Sequence, residues 1–311
     1  MKWLWAALGV LATLLGLAAI ATRAFAGAQP WDGELSDNFI FAKTIPFTLA
    51  FGVLVGAFRS AARPAGRKPD GSIRRFSPGT AIGHWINALG FFLALISGSW
   101  QYLRGILETD APVPLYLFYR THFIGATLIL FSVGNFLTYW AMSPEHPLAV
   151  PRGQWLRHLR GLAHELPRSL GMLLADMVGL DMKRTAPAVE RFTYYEKTVS
   201  FPIWVFLIAL ITVTGLIKAM RYVYPVPGGV LYWASGLHVA AMVLIALKLL
   251  DHMRYVFARW PLLVSMCTSW VGERYVQLRH PGWYKEVLAG GQRSGAAPVE
   301  SAPAAIVGGS E

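Results

Sequence analysis

Six long apolar runs divide this sequence of 311 residues. A bilayer core is roughly 30 Å thick, and a helix needs about 20 apolar residues to cross it. The runs occupy approximately residues 3–22, 45–58, 82–103, 122–142, 199–220 and 230–250. The second run is short unless residues 39–44 also belong to it. Because 55% of the residues are hydrophobic and only 14% are charged, we predict an all-α integral membrane protein.

The segments between the runs differ in charge. Residues 59–76 carry six basic residues against one acid, and residues 143–198 carry eight basic residues. By contrast, residues 27–40 contain three acids and no base. Lys and Arg accumulate in cytoplasmic loops, so the formal net charge of +11 is read as a topology signal, with both basic loops and the C-terminus in the cytoplasm. These loops adjoin spans and lack a binding motif, so no nucleic-acid partner is expected.

Two interpretations of the N-terminus stay open. The first run is either a membrane span or a secretory signal peptide, because Lys2, the apolar stretch and the small residues of Ala24–Ala26 fit an A-x-A cleavage site. Both interpretations place Gly27 on the outer side of the membrane. In the basic loop, leucine spacing predicts an amphipathic helix over residues 154–174, broken or kinked at Pro167 and lying on the membrane surface.

Histidine is the candidate metal ligand. The single cysteine, Cys267, excludes a disulfide framework, a Cys-ligated iron-sulfur cluster and a c-type haem attachment. Four of the eight histidines are in polar segments and are predicted to be solvated at the surface. They are His146, His158, His164 and His280. The other four are at the ends of apolar runs, where ionisable side chains are functional candidates. They are His84, His122, His238 and His252.

Helix geometry sorts these four into two levels. His238 and His252 are 14 residues apart, which is about 21 Å along a helix and brings them within roughly 40° of the same face. The predicted orientation then places His84 with His252 on the cytoplasmic side and His122 with His238 on the outer side. Two facing imidazoles are what a six-coordinate haem b requires. We therefore predict a four-helix transmembrane bundle that binds two haem b, with two additional N-terminal spans.

Other interpretations of the same residues remain. A zinc or copper site would need its ligands at one depth, and a proton path through a transporter would also use buried histidines. Arg120 on the outer side and Arg254 on the inner side are candidates for pairing with haem propionates, or are charges that position the spans. Gly125 and Ala88 share a face with their histidines, which leaves room for a macrocycle or for close helix packing.

Several segments around these histidines resemble a known family. They are Arg75–Ser77, Gly83–Trp85, Phe91–Gly98, Tyr119–His122, Leu237–Ala241, His252–Met253 and Arg279–Glu286. Over about residues 75–287 the chain resembles the cytochrome b (gamma) subunits of membrane-bound respiratory formate dehydrogenases, within a family shared with the cytochromes b of nickel-iron hydrogenases. The His-Pro-Gly-Trp-Tyr sequence at 280–284 favours the formate dehydrogenase type.

The resemblance implies a subunit of the bacterial cytoplasmic membrane with no formate chemistry of its own. Its partners would be an iron-sulfur (beta) subunit and a periplasmic molybdenum or tungsten catalytic (alpha) subunit, with higher oligomers of the complex as an option. Electrons would pass from the outer haem to the inner haem and reduce menaquinone or ubiquinone near the cytoplasm. A proton-coupled transporter is the alternative from another class.

Family members place the quinone beside the inner haem, near the start of the fifth span. The corresponding stretch here, residues 192–197, departs from the Asn-Ala-Gly-Gln type of sequence found in relatives. Our candidate quinone contacts are Thr193, Tyr195, Glu196 and Lys248. Interface anchoring, a helix-start acid and a snorkelling lysine explain the same residues.

The predicted domains follow from these assignments. They are 1–26, an N-terminal span or signal peptide; 27–75, the second span and a basic loop; 76–287, the dihaem four-helix domain; and 288–311, a disordered tail rich in Gly, Ala, Ser and Pro.

Overall fold

The computed structural model describes residues 33–60, 68, 70–108, 115–143, 146–183 and 185–293. The predicted first span or signal peptide at 1–26 and most of the predicted tail, residues 294–311, lie outside these ranges. The described helices are α1 (Gly33–Ser60), α2 (Pro78–Leu107), α3 (Leu115–Met142), α4 (Trp155–Glu165), α5 (Arg168–Val178), α6 (Phe201–Met220), α7 (Gly228–Phe257), α8 (Trp260–Thr268), α9 (Glu273–Arg279) and α10 (Pro281–Arg293). Two short strands are β1 (Ile73–Arg74) and β2 (Trp270–Val271).

Five helices within the described ranges are long and apolar enough to cross a membrane. The spans are Asp37–Ser60, Pro78–Leu107, Leu115–Met142, Glu196–Met220 and Gly228–Phe257. Each contains a predicted apolar run, and the first of them includes residues 39–44, which the sequence left uncertain. The prediction of an all-α, multi-pass membrane protein is confirmed.

The start of the fourth of these spans is a π-helical turn, Glu196–Ser200, which leads directly into α6. Pro202 explains the irregular winding, because it has no N–H to donate to the preceding turn of the helix.

Helices α2, α3, α6 and α7 form a four-helix bundle. Each contributes one buried side chain to a central apolar cluster, and these side chains are Phe91, Ile129, Leu207 and Ile245. Small residues set the distance between α2 and α3: a Cβ added at Gly125 would lie 2.6 Å from the backbone nitrogen of Ala94. Gly125 therefore serves close helix packing, one of the two roles considered for it.

Helix α1 packs on the outside of the bundle against α3. A Cβ added at Gly52 would lie 2.2 Å from the carbonyl oxygen of Phe131, and one added at Gly56 would lie 2.4 Å from the carbonyl oxygen of Asn135. Glycines spaced by four allow such close contact between helices in a membrane. This span adds a layer to the four-helix bundle without contributing to its central cluster.

One end of the bundle, which we call the capped end, is covered by the segments that are not membrane spans. Strand β1 pairs antiparallel with β2, with Ile73 opposite Val271, and the buried Val276 and Trp283 pack on them. Helices α4 and α5 separate at Pro167, as predicted. Helix α10 continues to Arg293, so the chain remains helical past residue 288, where the tail was predicted to begin.

Helix α4 docks on its own chain. The ring of Tyr194 lies against Gly161, where an added Cβ would be 2.3 Å from the ring. The carboxylate of Glu165 accepts hydrogen bonds from the backbone N–H groups of Tyr194 (3.0 Å) and Tyr195 (2.7 Å). A loop carboxylate thus caps the start of a membrane span, where free N–H groups need acceptors.

Candidate functional site

His122 on α3 and His238 on α7 face each other near the end opposite the cap, with ring centroids 6.3 Å apart. The Nδ1 atom of His122 is 3.0 Å from the carbonyl oxygen of Ala94. The Nδ1 atom of His238 is 3.0 Å from the hydroxyl of Thr214, which itself donates to Leu210 at 2.7 Å. The carbonyl of Ala94 can only accept, and the hydroxyl of Thr214 already donates its proton to Leu210. Each Nδ1 is therefore the donor and carries the proton. The Nε2 lone pair of each ring is left for a ligand.

Two glycines make room for these rings. A Cβ added at Gly98 would lie 3.0 Å from Cε1 of His122, and one added at Gly215 would lie 3.2 Å from Cε1 of His238. Both distances are tighter than ordinary van der Waals contact. The glycines and the Nδ1 hydrogen bonds together hold the two rings in one orientation.

His84 on α2 and His252 on α7 form a second pair at the capped end, with centroids 6.2 Å apart. The ring of His84 lies against Trp85 at 5.6 Å, and that of His252 meets Trp204 at 5.9 Å, edge to face. The ring of Trp204 in turn packs against Phe91 of the central apolar cluster, with ring centroids 6.3 Å apart. The two histidine pairs are therefore separated by an apolar layer.

The separation within each pair can be tested against coordination of one metal between two imidazoles. With a histidine nitrogen at about 2.0–2.1 Å from the metal and the ring centre about 1.2 Å further, the centroids would be about 6.4 Å apart. The observed values of 6.2 and 6.3 Å agree with this distance. Within the described ranges, no three His, Cys, Asp or Glu side chains converge on one point. Each pair thus offers two imidazoles, which is the number of axial ligands that a haem iron takes and fewer than the three or four of a protein zinc site.

A polar cluster adjoins His252. The ammonium of Lys248, only 8% exposed, is 2.7 Å from a carboxylate oxygen of Asp251, and the hydroxyl of Tyr195 donates to the same oxygen at 2.8 Å. Arg254 contacts the other oxygen at 3.0 Å. The structure brings two quinone candidates, Tyr195 and Lys248, together on Asp251. Sequence reasoning missed Asp251, although a carboxylate three residues from a lysine on one apolar helix is a readable signal.

The other two quinone candidates stabilise a helix start. The backbone N–H of Thr193 donates to the carboxylate of Glu196 at 2.7 Å, and the N–H of Glu196 donates to the Thr193 hydroxyl at 3.1 Å. This reciprocal pair is a capping box. Glu196 also lies 3.5 Å from the buried guanidinium of Arg75. The helix-start interpretation of this acid therefore has direct structural support.

The candidate propionate partners have partners within the chain. Arg120 forms an ion pair with Asp37 of α1, and its side chain is half exposed. Arg254 is paired with Asp251 and is largely exposed. A cation that sequence reasoning passed over, Lys218 on α6, lies within electrostatic reach of both His122 and His238.

Two surface predictions were wrong. His158 is 0% and His280 is 2% exposed. The ring of His280 is held between Arg75, 3.3 Å from its Nε2, and the carbonyl oxygen of Glu190, 2.8 Å from its Nδ1. Burial, followed by the charge of Arg75, lowers the pKa of His280 to about 4. The position of His280 in a polar segment concealed these contacts, because its partners are 205 and 90 residues away in sequence.

The fold and site define a class: a multi-pass, all-α membrane protein with two histidine pairs stacked at different depths of a four-helix bundle. No protein-family model matches the chain. It is similar to the curated "Formate dehydrogenase, cytochrome b556(fdo) subunit" of Escherichia coli strain K12, and equally to the proteins of the same name from strains O6:H1 (CFT073) and O157:H7. The identity is 25% over 227 residues, which covers 70% of this chain and 93% of each relative.

Proposed function

We propose that this protein is the dihaem cytochrome b subunit that anchors a formate dehydrogenase in the membrane. It would transfer electrons from a periplasmic iron-sulfur and molybdenum or tungsten enzyme to a quinone on the cytoplasmic side. The observation that carries the proposal is the matched separation of the two histidine pairs, 6.2 and 6.3 Å, at two depths of one bundle. The similarity to cytochrome b556 subunits supports a membrane electron-transfer subunit.

Four residues would hold the two haem groups: His84 with His252, and His122 with His238. A haem iron with both axial positions filled supplies one-electron transfer and does not bind oxygen. The protein contributes rigid ligands, since Ala94 and Thr214 orient the imidazoles of one pair. The apolar layer around Phe91 and Ile245 excludes water between the two levels.

The capped end supports the proposed orientation. Three segments that the charge pattern places in the cytoplasm meet there: β1 pairs with β2, Arg75 contacts Glu196, and His280 contacts Glu190. Segments in contact must lie on one side of the membrane. We infer that the capped end, with the His84–His252 pair and the C-terminus, faces the cytoplasm of a bacterial inner membrane.

The quinone site would lie beside His252, where Tyr195, Lys248 and Asp251 form the polar cluster. A phenol and an ammonium are donors suited to a quinone oxygen, and a carboxylate orients both. Thr193 and Glu196 would shape this site through their capping box. The acceptor would be menaquinone or ubiquinone.

The test is a dithionite-reduced minus oxidised spectrum of the purified full-length protein, together with its haem content. We expect b-type bands and two haem groups per chain. Protein without b-type bands would overturn the proposal and favour a proton-coupled transporter. Purification of the native complex, assayed with formate and with hydrogen, separates a formate dehydrogenase from a nickel-iron hydrogenase, since only the physiological donor reduces the haem.

A further inference from the structure

Lys218 occupies the face of α6 that looks toward the His122–His238 pair. It follows Thr214, which is hydrogen-bonded to His238, by four residues, and Gly215, which contacts the ring of His238, by three. Residues three and four apart lie on one face of a helix. Lys218 is therefore about one turn, roughly 5 Å, beyond His238 in the direction of the nearer helix end.

Lys218 lies close enough to both histidine rings for its charge to act on them. Its side chain is half-buried, and no carboxylate in the described part of the chain forms an ion pair with it. The charge that acts on it is that of another cation, Arg221. The two other cations considered at these levels differ in this respect, because Lys248 is paired with Asp251 and Arg120 with Asp37.

A half-buried ammonium in a membrane span is costly without a counter-charge. Its position between the histidine pair and the helix end indicates where an anion would be needed. A haem held by His122 and His238 carries two propionate carboxylates, which are such anions. A lysine that only snorkels to the surface would place its charge in the headgroup region, independent of the rings.

We propose that Lys218 binds a propionate of the haem ligated by His122 and His238. This inference rests on the proposed function. A cation near a haem stabilises the reduced form, which has one positive charge fewer than the oxidised form, so Lys218 raises the midpoint potential of this haem relative to a chain without it.

The experiment is a redox titration of the purified full-length protein, followed by visible and low-temperature EPR spectra. In Lys218→Gln, both haem groups should be present, one midpoint potential should fall, and the other should stay at its wild-type value. Lys218→Arg, which keeps the charge, should restore the potential. Arg221→Gln is the matched control, because it removes an exposed cation three residues further along without removing the charge that faces the rings.

The affected haem is identified by comparison with His122→Ala: the EPR signal lost in that variant must be the one whose potential shifts in Lys218→Gln. Should the glutamine variant fail to assemble, Lys218→Met tests the same point with an apolar side chain of similar length. Two haem groups with unchanged potentials in Lys218→Gln or Lys218→Met would overturn the inference and leave the proposed function standing. Wild-type protein without haem b would overturn both.

Discussion

The two histidine pairs have almost the same separation, 6.3 and 6.2 Å, in different surroundings. At His122–His238, hydrogen bonds from the Nδ1 atoms to Ala94 and Thr214 and contacts with two glycines fix the rings. At His84–His252, aromatic rings pack on the histidines and a cluster of charged and phenolic groups lies beside them. The difference teaches that the same spacing of two imidazoles can be set in two environments. At one level hydrogen bonds and close contacts restrain the rings, and at the other level polar groups that can bind a polar ligand lie beside them.

The largest effect should come from breaking one pair and leaving the other. In His122→Ala we expect loss of one of two haem groups, because one axial ligand is removed, while the haem at His84–His252 is retained. Haem content and the reduced-minus-oxidised spectrum measure this. His164→Ala, at an exposed position, should leave both haem groups in place. Retention of two haem groups by His122→Ala would disprove the pairing.

A second prediction concerns the charges next to each pair. Asp251→Asn should lower the free energy of unfolding by about 2 kcal/mol, because the buried ammonium of Lys248 loses its counter-charge. Asp37→Asn removes the partner of the half-exposed Arg120 at the other level and should cost less than the Asp251 variant, because solvent screens this pair. Thermal unfolding in detergent gives both values. Equal losses of unfolding free energy in the two variants would mean that Asp251 does not stabilise the buried ammonium of Lys248.

A third prediction tests the capped end through pH. The pKa of His280 is about 4 in the folded protein against 6.5 for the free group, so the unfolded chain binds the extra proton first. Stability from this residue is therefore complete above pH 6.5 and is lost as pH falls toward 4, on the order of 2 kcal/mol by about pH 5. We expect this part of the fall in the unfolding temperature to disappear in His280→Gln. An unchanged pH profile in that variant would contradict the assignment.

The smallest effect sharpens the description of the fixed pair. Gly98→Ala places a methyl group 3.0 Å from His122 and should destabilise the protein by about 1–2 kcal/mol, with an altered EPR signal of one haem. Gly105→Ala lies on the same helix with no atom within 4 Å and should be neutral or slightly stabilising. If both variants behave alike, the glycine contact is not what orients His122.

Prediction from sequence succeeded where the physics is local. The apolar runs located all five described spans, and the break at Pro167 was found because proline ends a helix whatever surrounds it. The 14-residue interval placed His238 and His252 on one face of α7, since helix geometry does not depend on neighbours. The charges in the loops predicted the orientation of each span, and that orientation paired His238 with His122 and His252 with His84.

The functions of polar groups could not be read in the same way. Thr193 and Glu196 are candidate quinone contacts that a helix start explains as well, and the structure shows them in a capping box, a motif that the sequence T-x-x-E contains. His280 was assigned to the surface, although Arg75 and Glu190 bury it. Its partners come from segments 205 and 90 residues away, and no local pattern reports such contacts.

The sequence by itself determined that this chain crosses a membrane several times and brings its histidines to two levels, because hydrophobic length and helical period act within one segment. Only the tertiary structure decided which charges are compensated. Lys248 has Asp251 beside it and Arg120 has Asp37, whereas Lys218 faces a histidine pair without a described carboxylate partner. Coulomb energies depend on distances between atoms and on burial, and these exist only once the helices have packed.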